Sequence, residues 1–230
     1  GHTAYAGGLN VGDEYMGKHP KLSPWRDTHV KISGPAALAL QLAFVEDWYW
    51  MTHAFPELKS ELACNEQDPE RVLVLPSGPA DELETCSLLF TELIHRAKKR
   101  VWIVSPYFVP DEQFITALQL AVLKGVDVRL MIPRKTDNTL VSLTHWACIE
   151  PLQHVGVKVY WYEKGFMHQK VVLVDDDYAK VGTANFDNRS FRLNFEITVV
   201  VADQQFNGEV TRMLEADFAR SRLVRAEDIR

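Results

Sequence analysis

A chain of 230 residues is long enough to bury a substantial apolar core and to form one or two domains. Its apolar fraction of 47% and charged fraction of 24% are ordinary for a globular protein. The formal net charge of −6 argues against a protein that coats nucleic acid through bulk charge, but it leaves room for a local cationic site that binds one phosphate.

The cysteines and the hydropathy bear on the cellular compartment and on membrane insertion. Cys64, Cys86 and Cys148 are widely spaced and follow no metal-binding pattern, so we expect buried thiols in a reducing compartment. No apolar run reaches the length of a membrane span. The chain opens with Gly-His-Thr-Ala-Tyr-Ala-Gly-Gly, which is typical of the interior of a domain, and we therefore expect a fragment.

The first 65 residues, here called the first block, predict a short strand, turn and helix arrangement. The predicted elements are a strand at 3–6, a glycine turn at 7–8, a polar loop at 17–27, a strand at 28–33 and a helix at 35–52. Pro35 suits the first turn of that helix. The aromatic run Trp48-Tyr49-Trp50-Met51 near its end is predicted to be core, with contact to lipid as the alternative.

Residues 66–230, the second block, alternate strand and helix. Strands are predicted at 72–75, 101–104, 126–132, 157–162, 170–174, 178–182 and 194–201, and helices at 81–99, 111–123, 138–154 and 203–221. This alternation predicts an α/β layered fold with a mostly parallel sheet flanked by helices. An antiparallel hairpin is expected at 170–182.

The two blocks share a short internal repeat. Ala6-Gly7-Gly8-Leu9-Asn10 resembles Val181-Gly182-Thr183-Ala184-Asn185, and after each a strand that begins near an acid, Asp27 or Glu196, leads into a long helix. The order of elements favours a duplicated α/β unit whose first copy is truncated and whose second is complete. Two unrelated strand-turn-helix pieces are the alternative.

The most informative pattern is His168-x-Lys170-x4-Asp175. Side chains at i and i+2 of a strand share a face, so the imidazole and the ammonium should project together. An imidazole can attack phosphorus or protonate a departing oxygen, while a lysine neutralises charge on the non-bridging oxygens. The alternative is a surface strand that carries one His and one Lys without a functional role. The Gly182-Thr183-Ala184-Asn185 turn that follows the motif disfavours this alternative.

Two carboxylates have roles that the residues leave open. Asp175 belongs to the motif, yet it lies four strand residues beyond Lys170, so we interpret it as an anchor for backbone or a nearby cation. A metal site built from Asp175 and its two neighbouring aspartates is the weaker alternative. Glu196 enters an apolar strand and needs a partner, which could be a catalytic imidazole or a salt bridge to Arg189 or Arg192.

Taken with Phe186-Asp187-Asn188-Arg189-Ser190, the motif resembles the second catalytic motif of the phospholipase D superfamily. Segments elsewhere in the chain resemble the bacterial cardiolipin synthases. They are Gly7-Gly8-Leu9-Asn10-Val11-Gly12-Asp13-Glu14-Tyr15, Trp25-Arg26-Asp27-Thr28-His29, Pro76-Ser77-Gly78-Pro79 and Ser105-Pro106-Tyr107-Phe108-Val109-Pro110.

The resemblance implies a phospholipase D-like fold and a metal-free, cofactor-free double displacement through histidine. A phosphatidyl group would move from phosphatidylglycerol to a second phosphatidylglycerol, and glycerol would leave. His168, Lys170 and Asp175 would form the catalytic motif, with Asn185 and Asn10 binding substrate. Asp27 and Glu196 would orient imidazoles, each that of the opposite half.

One departure from the family pattern is large, because the first H-x-K-x4-D motif is absent. His29-Val30-Lys31 imitates its start, but position 36 is Ala and no Gly-x-x-Asn turn follows. The expected partners are therefore a missing amino-terminal portion or a second copy of the chain, together with phosphatidylglycerol and anionic membrane lipid, and no nucleic acid. The family implies the bacterial inner membrane for the full-length protein. A phospholipase D-type hydrolase and a non-catalytic lipid-binding fragment are the alternatives.

Overall fold

The computed structural model describes residues 1–58, 70–135 and 139–229, and fourteen strands and six α-helices lie in these ranges. The strands are β1 (Thr3–Gly7), β2 (Trp25–Arg26), β3 (His29–Ser33), β4 (Arg71–Ser77), β5 (Arg100–Val104), β6 (Phe108–Val109), β7 (Asp127–Pro133), β8 (Lys158–Tyr162), β9 (Phe166–Met167), β10 (Val171–Val174), β11 (Tyr178–Gly182), β12 (Phe186–Asp187), β13 (Glu196–Ala202) and β14 (Ser221–Leu223). The helices are α1 (Pro35–Thr52), α2 (Thr85–Arg96), α3 (Glu112–Leu123), α4 (Thr139–His154), α5 (Asn188–Arg192) and α6 (Gln204–Ala219).

Eight strands form the central sheet, in the order β14-β8-β7-β5-β10-β11-β13-β4. Strands β5, β7 and β8 pair in parallel, and the other neighbours pair in antiparallel. As a result, five of the eight strands run in one direction. The predicted α/β layered fold is confirmed, while the antiparallel part extends well beyond the expected β10–β11 hairpin to include β13 and β4.

Helices cover both faces of this sheet because its strands bury side chains on both sides. On one face, apolar residues of α2, α3 and α4 pack against alternate residues of the strands. On the other face, α6 and the strand pair β1–β3 pack against the remaining strand residues, with Ala37 of α1 joining them. The first block therefore rests on the same sheet that carries the His168 motif.

The pairing of β1 with β3 repeats the pairing of β11 with β13. Gly7 faces His29 in one pair and Gly182 faces Thr198 in the other. The next residue in each copy, Gly8 or Thr183, donates its N–H to the carbonyl just before that partner, at 3.5 and 2.9 Å. Asp27 and Glu196 thus fall at equivalent positions, which supports the predicted duplication. The boundary between the blocks lies outside the described residues, and the division into two domains stays a prediction.

Three expectations about surface and core have different outcomes. Cys86 is buried as expected, Cys148 is partly buried, and Cys64 falls outside the described residues. The aromatic run on α1 is exposed, with Trp50 77% and Met51 73% accessible, so the prediction that it is core is wrong for the structure described. None of the described helices is both long enough and apolar enough to cross a membrane.

Candidate active site

Two short strands bring the first block to His168. β2 pairs in parallel with β9, so that Arg26 faces Met167, and the His168 N–H continues this pairing by donating to the Arg26 carbonyl at 2.7 Å. The residues that follow each strand, Asp27 and His168, therefore lie side by side. The Asp27 carboxylate contacts Nδ1 of the imidazole at 3.0 Å, and the two side chains are only 8% and 14% exposed.

Lys170 lies against the same imidazole. Its Nζ is 3.0 Å from both ring nitrogens of His168 and donates to the His168 carbonyl at 2.7 Å. Residues 168–170 precede β10 instead of belonging to it, yet the two side chains meet as the i, i+2 argument predicts. The lone pairs of the two ring nitrogens diverge, so one ammonium cannot lie along both, and the contact is chiefly electrostatic.

Burial lowers the pKa of Lys170 to about 7, because an ammonium loses hydration when only 5% of the residue is exposed. The negative charges of Asp27, Glu196 and Asp187 oppose this shift, and the positive charge of Lys180 adds to it. A lysine with such a pKa changes its charge near neutral pH, which is a common property of functional sites.

The Asp27 carboxylate is held in place by its neighbours. Its Oδ1 accepts a hydrogen bond from the Thr28 N–H at 2.8 Å, and its Oδ2 accepts one from Nε1 of Trp25 at 3.3 Å. A Cβ at Gly8 would lie 2.4 Å from this carboxylate and 2.8 Å from the His168 carbonyl, so only glycine fits there. Asp27 can therefore fix the imidazole with its proton on Nδ1 and leave Nε2 for chemistry.

Aromatic rings surround the imidazole. The ring centroids of Trp25, Tyr15 and Phe166 are 4.9, 5.7 and 5.9 Å from that of His168. These faces restrict the rotation of the imidazole and displace water from its sides. None of the three was predicted to be a site residue, and Tyr15 and Trp25 lie far from the motif in sequence.

A buried hydrogen-bond network behind the site also escaped the sequence prediction. Gln169, which is fully buried, accepts from the Thr28 hydroxyl and donates to Asp217 of α6, both at 2.8 Å. Asp217 in turn pairs with Arg26 at 2.7 Å. Asp217 could have indicated this network from the sequence. It lies beside the apolar residues Leu214 and Phe218 on the buried face of α6, where a carboxylate needs a partner.

The turn that carries Asn185 is anchored by hydrogen bonds from its backbone to two serine hydroxyls. The Asn185 N–H donates to Oγ of Ser190 at 3.1 Å, and the Phe186 N–H donates to Oγ of Ser105 at 2.9 Å. Within the described residues, Oδ1 of Asn185 is buried without a hydrogen-bond partner. Asn10 is exposed, and its side chain accepts a hydrogen bond from the Val11 N–H at 2.8 Å, so its predicted contact with substrate stays a prediction.

Glu196 takes neither of the two partners predicted for it in the described part of the chain. It accepts hydrogen bonds from the Thr183 hydroxyl and, at 3.0 Å, from the Asn194 amide. Arg192 pairs instead with Glu84 and Asp111. Asn194 stands two residues before Glu196, as Trp25 stands two residues before Asp27, and each donates to its carboxylate. Glu196 is thus the counterpart of Asp27 in strand register and in its local hydrogen bonds.

Asp175 occupies a position that suits an anchor. Its carboxylate accepts hydrogen bonds from the backbone N–H groups of Lys98, Lys99 and Arg100 at 2.9, 2.7 and 2.9 Å. The residue is buried and has a left-handed φ of 52°. Asp176 pairs with Lys99 and Arg100, and across the described ranges no group of three or more His, Cys, Asp or Glu could hold a metal ion. The three-aspartate metal site is therefore not formed.

Replacing Asp175 by Asn is expected to lower the free energy of unfolding by roughly 1–3 kcal/mol, because the amide NH₂ would face one of the three buried N–H donors. Asn tolerates a left-handed φ, so the backbone itself should not be strained. Thermal or urea unfolding measures the effect. Asp177→Asn, an exposed change in the same turn, is the charge-matched control. Normal stability together with complete loss of activity would contradict the anchoring role.

The sequence of the chain matches known proteins along its whole length. A family model described as "Cardiolipin synthase, PLD-like domain" matches residues 90–219. A relative named cardiolipin synthase A from Pseudomonas putida (strain GB-1) is 53% identical over 232 residues, covering 100% of this chain and 48% of the relative. One of the same name from Pseudomonas aeruginosa (strain LESB58) is 55% identical over 233 residues, covering 100% and 47%. The chain spans about half the length of these curated relatives.

Solved structures share the fold. The phosphatidylserine synthase of Haemophilus influenzae Rd KW20 superposes with a TM-score of 0.71 at 15% identity, covering 97% of this chain and 61% of that chain. Nuc, a phospholipase D family member from Salmonella typhimurium, superposes with a TM-score of 0.57 at 20% identity, covering 68% and 99%. At these identities the likeness shows the fold.

Proposed function

Because this chain belongs to the cardiolipin synthase family with its phospholipase D-like domain, we propose that it supplies half of an active site for phosphatidyl transfer. The donor and the acceptor are both phosphatidylglycerol, and the products are cardiolipin and glycerol. In this proposal residues 1–65 are the remainder of a first phospholipase D-like half, and residues 66–230 form a second half with the catalytic motif. The enzyme works at the bacterial inner membrane, where its lipid substrates reside.

The observation that carries the proposal is the contact between His168 and Asp27. A carboxylate on Nδ1 at 3.0 Å orients an imidazole for proton transfer or attack through Nε2. Lys170 adds a cation that can neutralise charge on a phosphate oxygen, and Asn185 lies on an anchored turn. In this assignment Asp175 contributes by fixing the end of the strand that follows Lys170.

The proposed reaction has two displacement steps. In the first, Nε2 of a second histidine attacks phosphorus, and the P–O bond to glycerol breaks while His168 donates a proton to the departing oxygen. In the second, the now neutral His168 takes the proton from a hydroxyl of the other phosphatidylglycerol. That oxygen attacks phosphorus, the P–N bond breaks, and cardiolipin forms. Lys170 and Asn185 bind the phosphate oxygens throughout.

The position for the second histidine is beside Glu196. This carboxylate repeats the register of Asp27, and it acts electrostatically on Lys170, so it lies close to the proposed phosphate site. A cavity of about 580 Å³ is lined in part by Thr183, whose hydroxyl donates to Glu196, and by Ile197, Gly7 and His29. We propose that a segment beyond these 230 residues, or a second copy of the chain, places a histidine there. We call the chain together with that segment the assembled enzyme.

The proposal is tested by incubating the chain with phosphatidylglycerol in detergent micelles, with and without the upstream half of a related cardiolipin synthase. Lipid mass spectrometry should detect cardiolipin, and an enzymatic assay should detect an equal amount of glycerol. Activity that needs the upstream half supports a partner segment, and activity of the chain alone supports a second copy.

Two outcomes would replace the proposal. Phosphatidic acid without cardiolipin would mean that water is the acceptor, as in a phospholipase D-type hydrolase. Lipid binding without turnover in either arrangement would mean a non-catalytic fragment. Cleavage of DNA under the same conditions would contradict the expectation that nucleic acid is not a substrate.

A further inference from the structure

Lys180 occupies a strand position where an apolar side chain is expected. It lies on β11 between Val172 of β10 and Val200 of β13, both of which belong to the apolar layer under α2. Only 1% of the residue is exposed. Burying an ammonium opposes folding unless its N–H groups find hydrogen-bond acceptors. The contacts of Lys180 therefore indicate how a lysine is accommodated at this position.

The ammonium is held by backbone carbonyls and a ring. Its Nζ donates to the Ala184 carbonyl at 3.0 Å and contacts the Lys170 carbonyl at 3.4 Å. It also lies 4.9 Å from the centroid of the Phe90 ring. Burial lowers the pKa of Lys180 to about 8, while Cys86 and Glu196 oppose that shift. In the part of the chain that the structure describes, no carboxylate forms an ion pair with Lys180.

The two carbonyls belong to the backbone on either side of the proposed phosphate site. Lys170 itself is assigned to the phosphate, and Ala184 immediately precedes Asn185, the second residue so assigned. One side chain therefore joins the two segments that must hold a fixed separation. The positive charge of Lys180 also acts on Lys170, so it lies within electrostatic reach of the proposed phosphate site.

We propose that Lys180 is a positioning residue of the phosphate site. Its buried ammonium ties the backbone of Lys170 to the turn that carries Asn185, and it adds a fixed positive charge behind both. This inference rests on the proposed function, since that function assigns the phosphate to Lys170 and Asn185. Preorganised charge behind an oxyanion is effective because it needs no rearrangement when the anion binds.

The test uses the 230-residue chain and tungstate, a tetrahedral oxyanion that stands in for the phosphate. Lys180→Met keeps the length of the side chain and removes the charge and both contacts. We expect tungstate to bind about tenfold more weakly in isothermal titration calorimetry, from the loss of one nearby charge. Replacing a buried charge by an apolar side chain is often neutral or stabilising, so the unfolding temperature should not fall.

Lys158→Met is the matched control. Lys158 is 51% exposed, pairs with Asp127, and lies on β8, separated from β11 by three strands of the sheet. It makes the same change in net charge, and tungstate affinity should not change. Unaltered affinity in Lys180→Met would overturn the inference. If Lys180→Met does not fold, Lys180→Gln is judged by the same criterion.

A second measurement separates this inference from the proposed function. In the NMR spectrum, Lys180→Met should shift the Asn185 amide resonance, and Lys170 should titrate at higher pH because a repelling cation is gone. If the unmodified chain binds no tungstate, the assignment of the phosphate site is wrong, but these two shifts still decide the role of Lys180. Unmoved Asn185 and Lys170 signals would overturn it.

Discussion

Replacing His168 by Ala is expected to abolish phosphatidyl transfer in the assembled enzyme. In the proposed reaction His168 both protonates the departing glycerol and takes the proton from the incoming hydroxyl, so both steps lose their proton carrier. Loss of an acid or base commonly costs about 10²–10⁴-fold in one step, and here one side chain serves two steps. Cardiolipin formation, followed by lipid mass spectrometry, should fall to background.

Folding and the rest of the site should survive this change. The backbone of His168 keeps its hydrogen bond to Arg26, and Asp27 keeps its bonds to Thr28 and Trp25. The circular dichroism spectrum of His168→Ala should therefore match that of the unmodified chain. His154→Ala, an exposed change at the end of α4, is the matched control and should keep full activity. Measurable turnover by His168→Ala would remove His168 from the reaction.

The regular elements could be predicted because their sequence patterns are local. Buried β-branched runs predict the long strands of the central sheet, and the observed bounds of β4, β5, β7, β10, β11 and β13 differ from the predicted ones by at most two residues at either end. The helices agree less well at their ends, where α2 begins four residues later than expected. Helix ends depend on caps and tertiary contacts that the periodicity does not report.

The two-residue strands could not be predicted, and these strands assemble the site. β2–β9 brings Asp27 to His168, and β6–β12 lies beside the turn that carries Asn185. A pair of two residues has no measurable period, and its partners are far apart in sequence. The internal repeat nevertheless identified Asp27 and Glu196 as equivalent. The two copies share the same order of turn, acid and strand, which can be recognised in the sequence even though the contact of Asp27 with His168 cannot.

Buried polar and charged residues were the other feature that the sequence did not predict. Lys180 and Gln169 stand next to recognisable strand residues, and sequence alone does not say which side chains of a strand buried on both faces are paired. Asp175 is the contrasting example. Its distance from Lys170 along the strand separated it from the imidazole and suggested an anchor, and its three backbone contacts have that geometry.

Replacing Lys170 by Met is expected to lower kcat/KM for phosphatidyl transfer by about 10³-fold, since the site loses its direct cation for the phosphate oxygens. The protein should become more stable at the same time, because an ammonium that is 5% exposed and only partly compensated opposes folding. By analogy with other buried charges, the gain is roughly 1–4 kcal/mol. Urea unfolding measures the gain, and the transfer assay measures the loss.

The pH dependence gives an independent check on the same residue. Burial lowers the pKa of Lys170 in this chain to about 7, so the ammonium is charged below that pH and neutral above it. The value of kcat/KM, which reports groups of the free enzyme, should therefore fall as pH rises through 7. Stability should change in the opposite direction, since the unfolded lysine still binds its proton above pH 7 and the folded one does not.

The rise in stability with pH that comes from Lys170 should disappear in Lys170→Met. Lys31→Met is the matched control, because Lys31 is exposed and belongs to the look-alike sequence His29-Val30-Lys31. It should leave the rate and its pH profile unchanged. If Lys170→Met keeps the kcat/KM of the unmodified enzyme, the ammonium is not the phosphate cation. If Lys31→Met loses activity instead, the look-alike sequence takes part in the site after all.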